Sequence, residues 1–534
     1  MTRRALAVAT ALTTAAALLT GCSIQIPGQR DTFRIIAGSE IRDLEPLLAD
    51  AGDVIDATIE VEYTGTLSGA ERIANGGADG SFEAAWFSSN RYLSLLPESS
   101  SRIGASERIM ASPVILGVRE STAAELGWDR TPPSWADIAS AAEAGDFTFA
   151  MTNPAASNTG FSALIGVATA LSGTGSALTS ADISSVAPEL AGFFSGQTLT
   201  AGSSGFLKDA FIERQGQADR EIDGLVNYES VLIDINENNE TPEPLTLVYP
   251  TDGVVTADYP LTFLTSADDQ ARERFDTLVD WLLQPEQQQR ILDDTRRRPL
   301  TAGVTVDDAF TDQVLVDLPF PSQLQVANDL INAYLNEIRR PPQTIFVLDT
   351  SGSMEGDRIE SLKQSLRDLA GADTSTQGTF AQFRNRERVT LIPFSTEPQP
   401  PEVFEVPASG GDDVRAEISA RADQLTAFGD TAIYDSLIEA YSLAGEQIAD
   451  NPDTFTSIVL MTDGENTFGQ EYADFEAAHA TFPDEVRGVP TFAILFGDSD
   501  VPQMQQVADL TGGEVFDARD GNLSGAFQEI RGYQ

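Results

Sequence analysis

TIFVLDTSGSMEGDRIESLKQSLRDLAG, residues 344–371, decides the fold of the C-terminal part of the chain. Ile345 to Leu348 is an apolar run suited to a central strand buried on both faces. It ends in Asp349-Thr350-Ser351-Gly352-Ser353. Ile359, Leu362, Leu366 and Leu369 then keep helical spacing, and Gly371 stands where that helix would stop. The loop between strand and helix is rich in hard oxygen donors. A carboxylate supplies charge, and two serines one residue apart turn small hydroxyls to one side. Mg²⁺ takes such donors, about six of them at roughly 2.0–2.1 Å. Gly352 is expected to give this loop its backbone freedom.

A five-residue D-x-S-x-S pattern is weak alone, but two later segments join it. AFGDTAIYDSL (427–437) places Thr431 at the start of a helix. SIVLMTDGENT (457–467) is a second apolar strand followed by Asp463. RVTLIPFS, VPTFAILFG and QQVADLTGGEVFDA supply the intervening and later elements. In this order the segments resemble the von Willebrand factor type A (VWA) domain with its metal-ion-dependent adhesion site. The resemblance implies a Rossmann-like domain over 344–534, with a central, mainly parallel sheet flanked by helices. It implies that Asp349, Ser351 and Ser353 bind a divalent cation, with Thr431 and Asp463 acting directly or through water; Asp430 and Asp435 are further acids nearby. Mg²⁺ is the first choice, with Mn²⁺ or Ca²⁺ as alternatives. An open coordination position would accept a carboxylate from a protein or polymer partner. The bland alternative is a structural ion that meets no partner.

Upstream, residues 32–340 alternate strand-like and helix-like stretches, which suggests a parallel-rich α/β fold. FRIIAGSE, VIDATIEVEYTGT and SFEAAWFSSN read as strands, and IRDLEPLLADAG as a helix. The order resembles a type II extracellular solute-binding protein of two lobes. SPVILGVRE (112–120) resembles the outward crossing between lobes, and LTLVYPTDGVVTADYPLTFL (245–264) the return. The resemblance implies a cleft lined by loops at strand ends and by helix N-termini. Ser39, Ser88, Ser89, Asn90, Ser157, Asn158, Thr159, Asn227, Tyr228 and Asp252 are the candidates to hold a small ligand or envelope component there. Helix capping, which Ser, Thr and Asn do everywhere, is the favoured reading of any single one of them. Glu40, Glu229 and Asp252 would repel an oxyanion if they faced the cleft. ARERFDTLVDWLL sets Phe275, Leu278 and Leu282 on one helical stripe, and a last helix runs to Arg340. Pro341 and Pro342 stop it, making residues 341–343 a short stiff joint.

The N-terminus reads as an export signal. Arg3 and Arg4 precede an apolar run too short to span a membrane comfortably. It closes on Leu19-Thr20-Gly21-Cys22, which resembles a bacterial lipobox. That resemblance implies removal of residues 1–21, lipidation of Cys22 and a tether over 22–31. The expected location is the extracytoplasmic face of the cell membrane.

Cys22 is the one cysteine in 534 residues, so no disulfide within the chain is available. The formal charge of -49 argues against nucleic acid, whose phosphates need Lys and Arg. The single histidine, His479, lies in a helical-looking surface stretch and is expected to be structural or solvated. No phosphate loop, cysteine nucleophile or histidine-centred triad is present, so a non-enzymatic surface binding protein is expected. The alternative is the substrate-binding lipoprotein of an ABC-type transporter.

Overall fold

The computed structural model describes residues 30–533 apart from 217–220, 498–500 and 520–522. The expected signal segment, Cys22 and nearly all of the tether therefore lie outside the described residues. Among those described, no helix is long and apolar enough to cross a membrane.

Three sheets organise the chain. In the first, the strands run in the order Ala57–Thr64, Asp31–Gly38, Ala84–Trp86, Pro260–Leu264, Ile103–Arg108. The first three are parallel, and Pro260–Leu264 is antiparallel to both its neighbours. The second sheet is built on the long strand Met110–Arg119. Antiparallel to it lie Val255–Ala257, Gly224–Tyr228, Leu245–Val248 and Arg298–Pro299. Phe149–Thr152 and Gln197–Ala201 extend that sheet in parallel.

The two expected crossings are present. The chain leaves the first sheet after Arg108 and enters the second at Met110. It returns between Ala257 and Pro260. Strands that belong to different sheets but are one or two residues apart in sequence form the hinge of a two-lobed body. The helix Asn158–Ser172 is apolar on all sides, and its residues from Asn158 to Thr169 are all buried. That is the pattern of a helix enclosed by its own domain.

The third sheet runs Glu402–Glu405, Arg388–Phe394, Pro342–Asp349, Phe455–Thr462, Thr491–Leu495, Val515–Asp517. All are parallel except the first. Every residue of Pro342–Asp349 is buried, as its continuous apolar run requires. Pro342 already belongs to this strand, so the joint is shorter than the expected 341–343. Its prolines do not hold the domains apart. One apolar cluster contains Leu199 and Phe211 of the second lobe together with Phe346, Phe527 and Tyr533 of the C-terminal domain.

The junction is also tied by hydrogen bonds: Arg386 donates to Asn336 O (2.8 Å) and to Arg339 O (3.0 Å). Arg339 ends the first region, Arg384 precedes the Arg388–Phe394 strand, and Arg531 closes the last helix. All three are buried around one buried carboxylate, Glu387. Arg531 donates to both Glu387 oxygens (2.5 and 2.7 Å). Burial and mutual repulsion lower Arg339 to about 10 and Arg384 to about 9, so both stay charged at neutral pH. Glu387→Gln removes their shared counter-charge. We expect it to lower unfolding free energy by about 3 kcal/mol, read from the midpoint of a urea titration.

Candidate metal centre and solute cleft

Three loops meet at the carboxyl end of the Pro342–Asp349 strand. Asp349 is fully buried there. The Ser351 N–H donates to Asp349 Oδ1 (2.8 Å), and the Thr462 hydroxyl donates to Oδ2 (2.7 Å). The Ser351 and Ser353 hydroxyl oxygens lie 2.9 Å apart, and the Ser353 hydroxyl donates to Asp463 Oδ1 (2.7 Å). The Arg358 guanidinium donates to Asp463 Oδ2 (2.6 Å). Thus Asp349, Ser351, Ser353 and Asp463, expected as a set, are brought together.

Thr431 joins them through the backbone. The Gly352 N–H donates to Gly429 O (2.9 Å) and Phe428 N–H to Thr350 O (2.8 Å), so the second loop lies on the first. The Thr431 N–H donates to Thr467 Oγ1 (3.0 Å), and Ile433 N–H to Asn466 Oδ1 (2.9 Å), which fastens the second loop to the third. Gly352 is not in the left-handed region, contrary to the freedom expected of it. A Cβ there would stand 3.2 Å from Gly429 O, so the glycine serves close approach of two loops. Asp430 is exposed, and its N–H donates to Thr396 Oγ1. Asp435 accepts from Gln470 instead (2.8 Å).

Burial pushes the Asp349 carboxyl up, the neighbouring Asp463 adds to this, and the hydrogen bonds from Ser351 and Thr462 oppose it. Two buried acids side by side with one guanidinium favour a further cation. Among the described residues no group of three or more His, Cys, Asp and Glu side chains converges as a metal site. A shell built here would draw on hydroxyls and water beside the acids, and the donor set of acids plus Ser and Thr suits a hard divalent ion. Sequence reasoning missed Thr462, Asn466 and Arg358. The first two stood inside the quoted 457–467 segment, but their partners come from other loops.

The interlobe cleft opens into a cavity of about 860 Å³. Ser39, Ser157 and Asn158 line it. Ser88, Thr159, Asn227 and Tyr228 are buried, outside its lining. Asn158 Nδ2 donates to the Tyr228 hydroxyl (3.1 Å), and the Thr66 and Ser88 hydroxyls lie 3.5 Å apart. Ser89, Asn90 and Asp252 are placed elsewhere. Ser89 accepts from Arg91 N–H, Asn90 donates to Thr262, and Asp252 accepts from Trp135 N–H. Of the three acids weighed against an oxyanion, Glu40 alone lines the cavity. Glu229 is held by Arg298 through two 2.7 Å bonds.

His479 is helical but buried, not on the surface. It meets the Tyr441 ring edge-on at 4.9 Å between centroids.

Residues 49–294 match the family model of the bacterial extracellular solute-binding protein, and residues 344–530 that of the von Willebrand factor type A domain. Among curated proteins, the chain is similar to inter-alpha-trypsin inhibitor heavy chain H4 of Sus scrofa (32% identity over 24% of this chain) and of Homo sapiens (30% over 36%). It spans only 13% and 19% of those relatives' lengths. Among solved structures, it is similar to a periplasmic thiamin binding protein (11% identity, TM-score 0.47, covering 60% of this chain and 100% of that one). It is also similar to a von Willebrand factor type A protein from Catenulispora acidiphila (20% identity, TM-score 0.29, covering 36% and 42%).

Two outcomes follow from the site. In Asp349→Asn the Ser351 N–H keeps its acceptor and the Thr462 hydroxyl can turn to Gly464 O while its oxygen accepts from the new amide, so the variant relieves a buried charge. Its melting temperature in EDTA should rise by about 2–4 °C, and added Mg²⁺ should no longer shift it. Arg358→Ala removes a competing cation from Asp463, and calorimetry should show severalfold tighter Mg²⁺ uptake.

Proposed function

From a chain that joins a solute-binding-like domain to a VWA domain, we propose a non-enzymatic, lipid-anchored binding protein of the extracytoplasmic membrane face. Its VWA domain grips a protein or polymer partner through a divalent cation, Mg²⁺ or else Mn²⁺ or Ca²⁺. Its two-lobed region takes a small ligand. One observation carries the adhesive part: Ser351, Ser353 and Asp463 form a continuous run of oxygen atoms beside buried Asp349.

Asp349, Ser351, Ser353, Thr431 and Asp463 would hold the ion. When bound, the ion supplies a Lewis-acidic centre that attracts a carboxylate oxygen. The chain's own residues do the rest. Burial at the strand end keeps water from Asp349. Thr462 and the Ser351 N–H fix the orientation of its two oxygens. The Gly352–Gly429 and Thr431–Thr467 bonds hold three loops in one arrangement, so little ordering remains to be done on docking. The anchor is assigned to Cys22 from the lipobox-like Leu19-Thr20-Gly21-Cys22 alone.

The test is capture of envelope components by the lipid-free chain. Capture should occur in Mg²⁺, fall at least about tenfold in EDTA, and fail equally with Asp349→Ala. Capture indifferent to both chelation and substitution would exclude the adhesive role.

A further inference from the structure

Where the two lobes meet, the chain places one of its own acids. Glu40 follows the strand Asp31–Gly38 of the first lobe. Its carboxyl turns back over Gly38: a Cβ on that glycine would stand 2.5 Å from Glu40 Oε2 and 3.7 Å from Thr66 Oγ1. Any other residue at 38 would push the carboxyl aside. From the opposite side comes Tyr228, the last residue of the strand Gly224–Tyr228 in the second lobe. It is buried, and its hydroxyl is hydrogen-bonded to the Glu40 carboxyl. A carboxylate only accepts, so Tyr228 is the donor. The Tyr228 oxygen accepts in turn from Asn158 Nδ2 (3.1 Å). One run of hydrogen bonds, Asn158 to Tyr228 to Glu40, therefore crosses from lobe to lobe.

The carboxyl lies where negative charge is favoured. The helices Thr66–Ala74 and Asn158–Ser172 start beside it, one in each lobe, and neither start is capped by a side chain. The loops that lead into them touch: a Cβ on Gly65 would stand 3.2 Å from Ala156 O. Open N–H groups at helix starts attract an anion. The Glu40 N–H bonds to its own carboxyl, and Arg297, which donates to Glu40 O (2.7 Å), is close enough to favour the charge. Burial pushes the carboxyl up, whereas its own N–H, Arg297 and Tyr228 act in the other direction. The Glu40 carboxyl thus draws a donor from each lobe, as a solute bridging the two would have to do.

We propose that Glu40 is a built-in occupant of the interlobe cleft: its carboxyl takes the seat of an anionic solute, joins the lobes through Tyr228 and keeps external anions out. A carboxyl on its own two-carbon tether competes at an effective concentration of roughly millimolar or more. An external anion must bind more tightly than that to displace it. The rest of the cavity lies beside Glu40, so a ligand taken there is neutral or cationic. This rests on the small-ligand half of the function proposed above, whose ligand it restricts, and is independent of the cation.

The experiment titrates the chain from Cys22 onward, without lipid, with acetate, read by calorimetry and thermal shift. Glu40→Ala removes the atoms that acetate contains, the γ carbon and the carboxyl. This variant should bind acetate saturably and at least about tenfold more tightly than the wild type does, and acetamide should not replace it. Glu40→Ser, a second truncation, should behave alike. Glu40→Gln still fills the seat and should take up no more acetate than the wild type. Acetate uptake by the wild type equal to that of Glu40→Ala would overturn the proposal. So would a lack of response to acetate in both truncations, in binding and in recovery of folded protein. The titration needs no natural ligand, so either result is distinguishable from failure of the small-ligand reading, and Mg²⁺ uptake should be unchanged in all three variants.

Discussion

A carboxylate buried at the end of a central strand is costly unless something meets its charge, and Asp349 is such a group. The Pro342–Asp349 strand must be apolar and enclosed to sit in the middle of a parallel sheet. Its last residue is nonetheless an acid. Everything at that end of the domain is arranged around this conflict. Each carboxylate oxygen accepts one hydrogen bond, three loops are laced over it by backbone contacts, and a second acid is added beside it. Asp463 in turn has Arg358. An arrangement that concentrates negative charge in a dry place sacrifices stability, and the cation of the proposed function would offset that cost. The proposed adhesive function uses that cation's remaining affinity for oxygen.

Much of this was legible in the chain. The apolar run ending in Asp349, the hydroxyls of Ser351 and Ser353, and the second strand ending before Asp463 are local patterns, and local patterns survive folding. The two crossings between lobes were likewise visible, because each is a single stretch. What could not be read was anything set by a partner far along the chain. Thr462 looked like one more strand residue until its hydroxyl met Asp349. Asp252 looked like a cleft residue because it follows a strand, yet it accepts from the Trp135 backbone. His479 was expected to be structural or solvated; it is structural, and the rings that enclose it, from Tyr441 and Phe475, could not be read from its own stretch. Gly352 was assigned conformational freedom, when the close approach of Gly429 was the requirement.

The largest difference concerns how the two regions relate. Two prolines between them suggested a short stiff joint over 341–343. Instead the second begins its central strand at Pro342, shares an apolar cluster with the second lobe, and closes the cleft with its C-terminal residues. Arg386 fastens that contact through Asn336 O and Arg339 O. A ligand in the cleft and a partner on the VWA domain would then act on one packed body. Any difference in affinity that one imposes on the other must be reciprocal.

Manganese is the most direct probe of the central claim, because it takes the same oxygen donors as magnesium and has an electron paramagnetic signal. Titrating the intact chain with Mn²⁺ should show one tightly bound ion per chain, displaced by Mg²⁺. That ion should be lost when Ser351 and Ser353 are both changed to alanine. A chain that takes up no such ion, or one that holds it equally well without the two hydroxyls, would contradict the account.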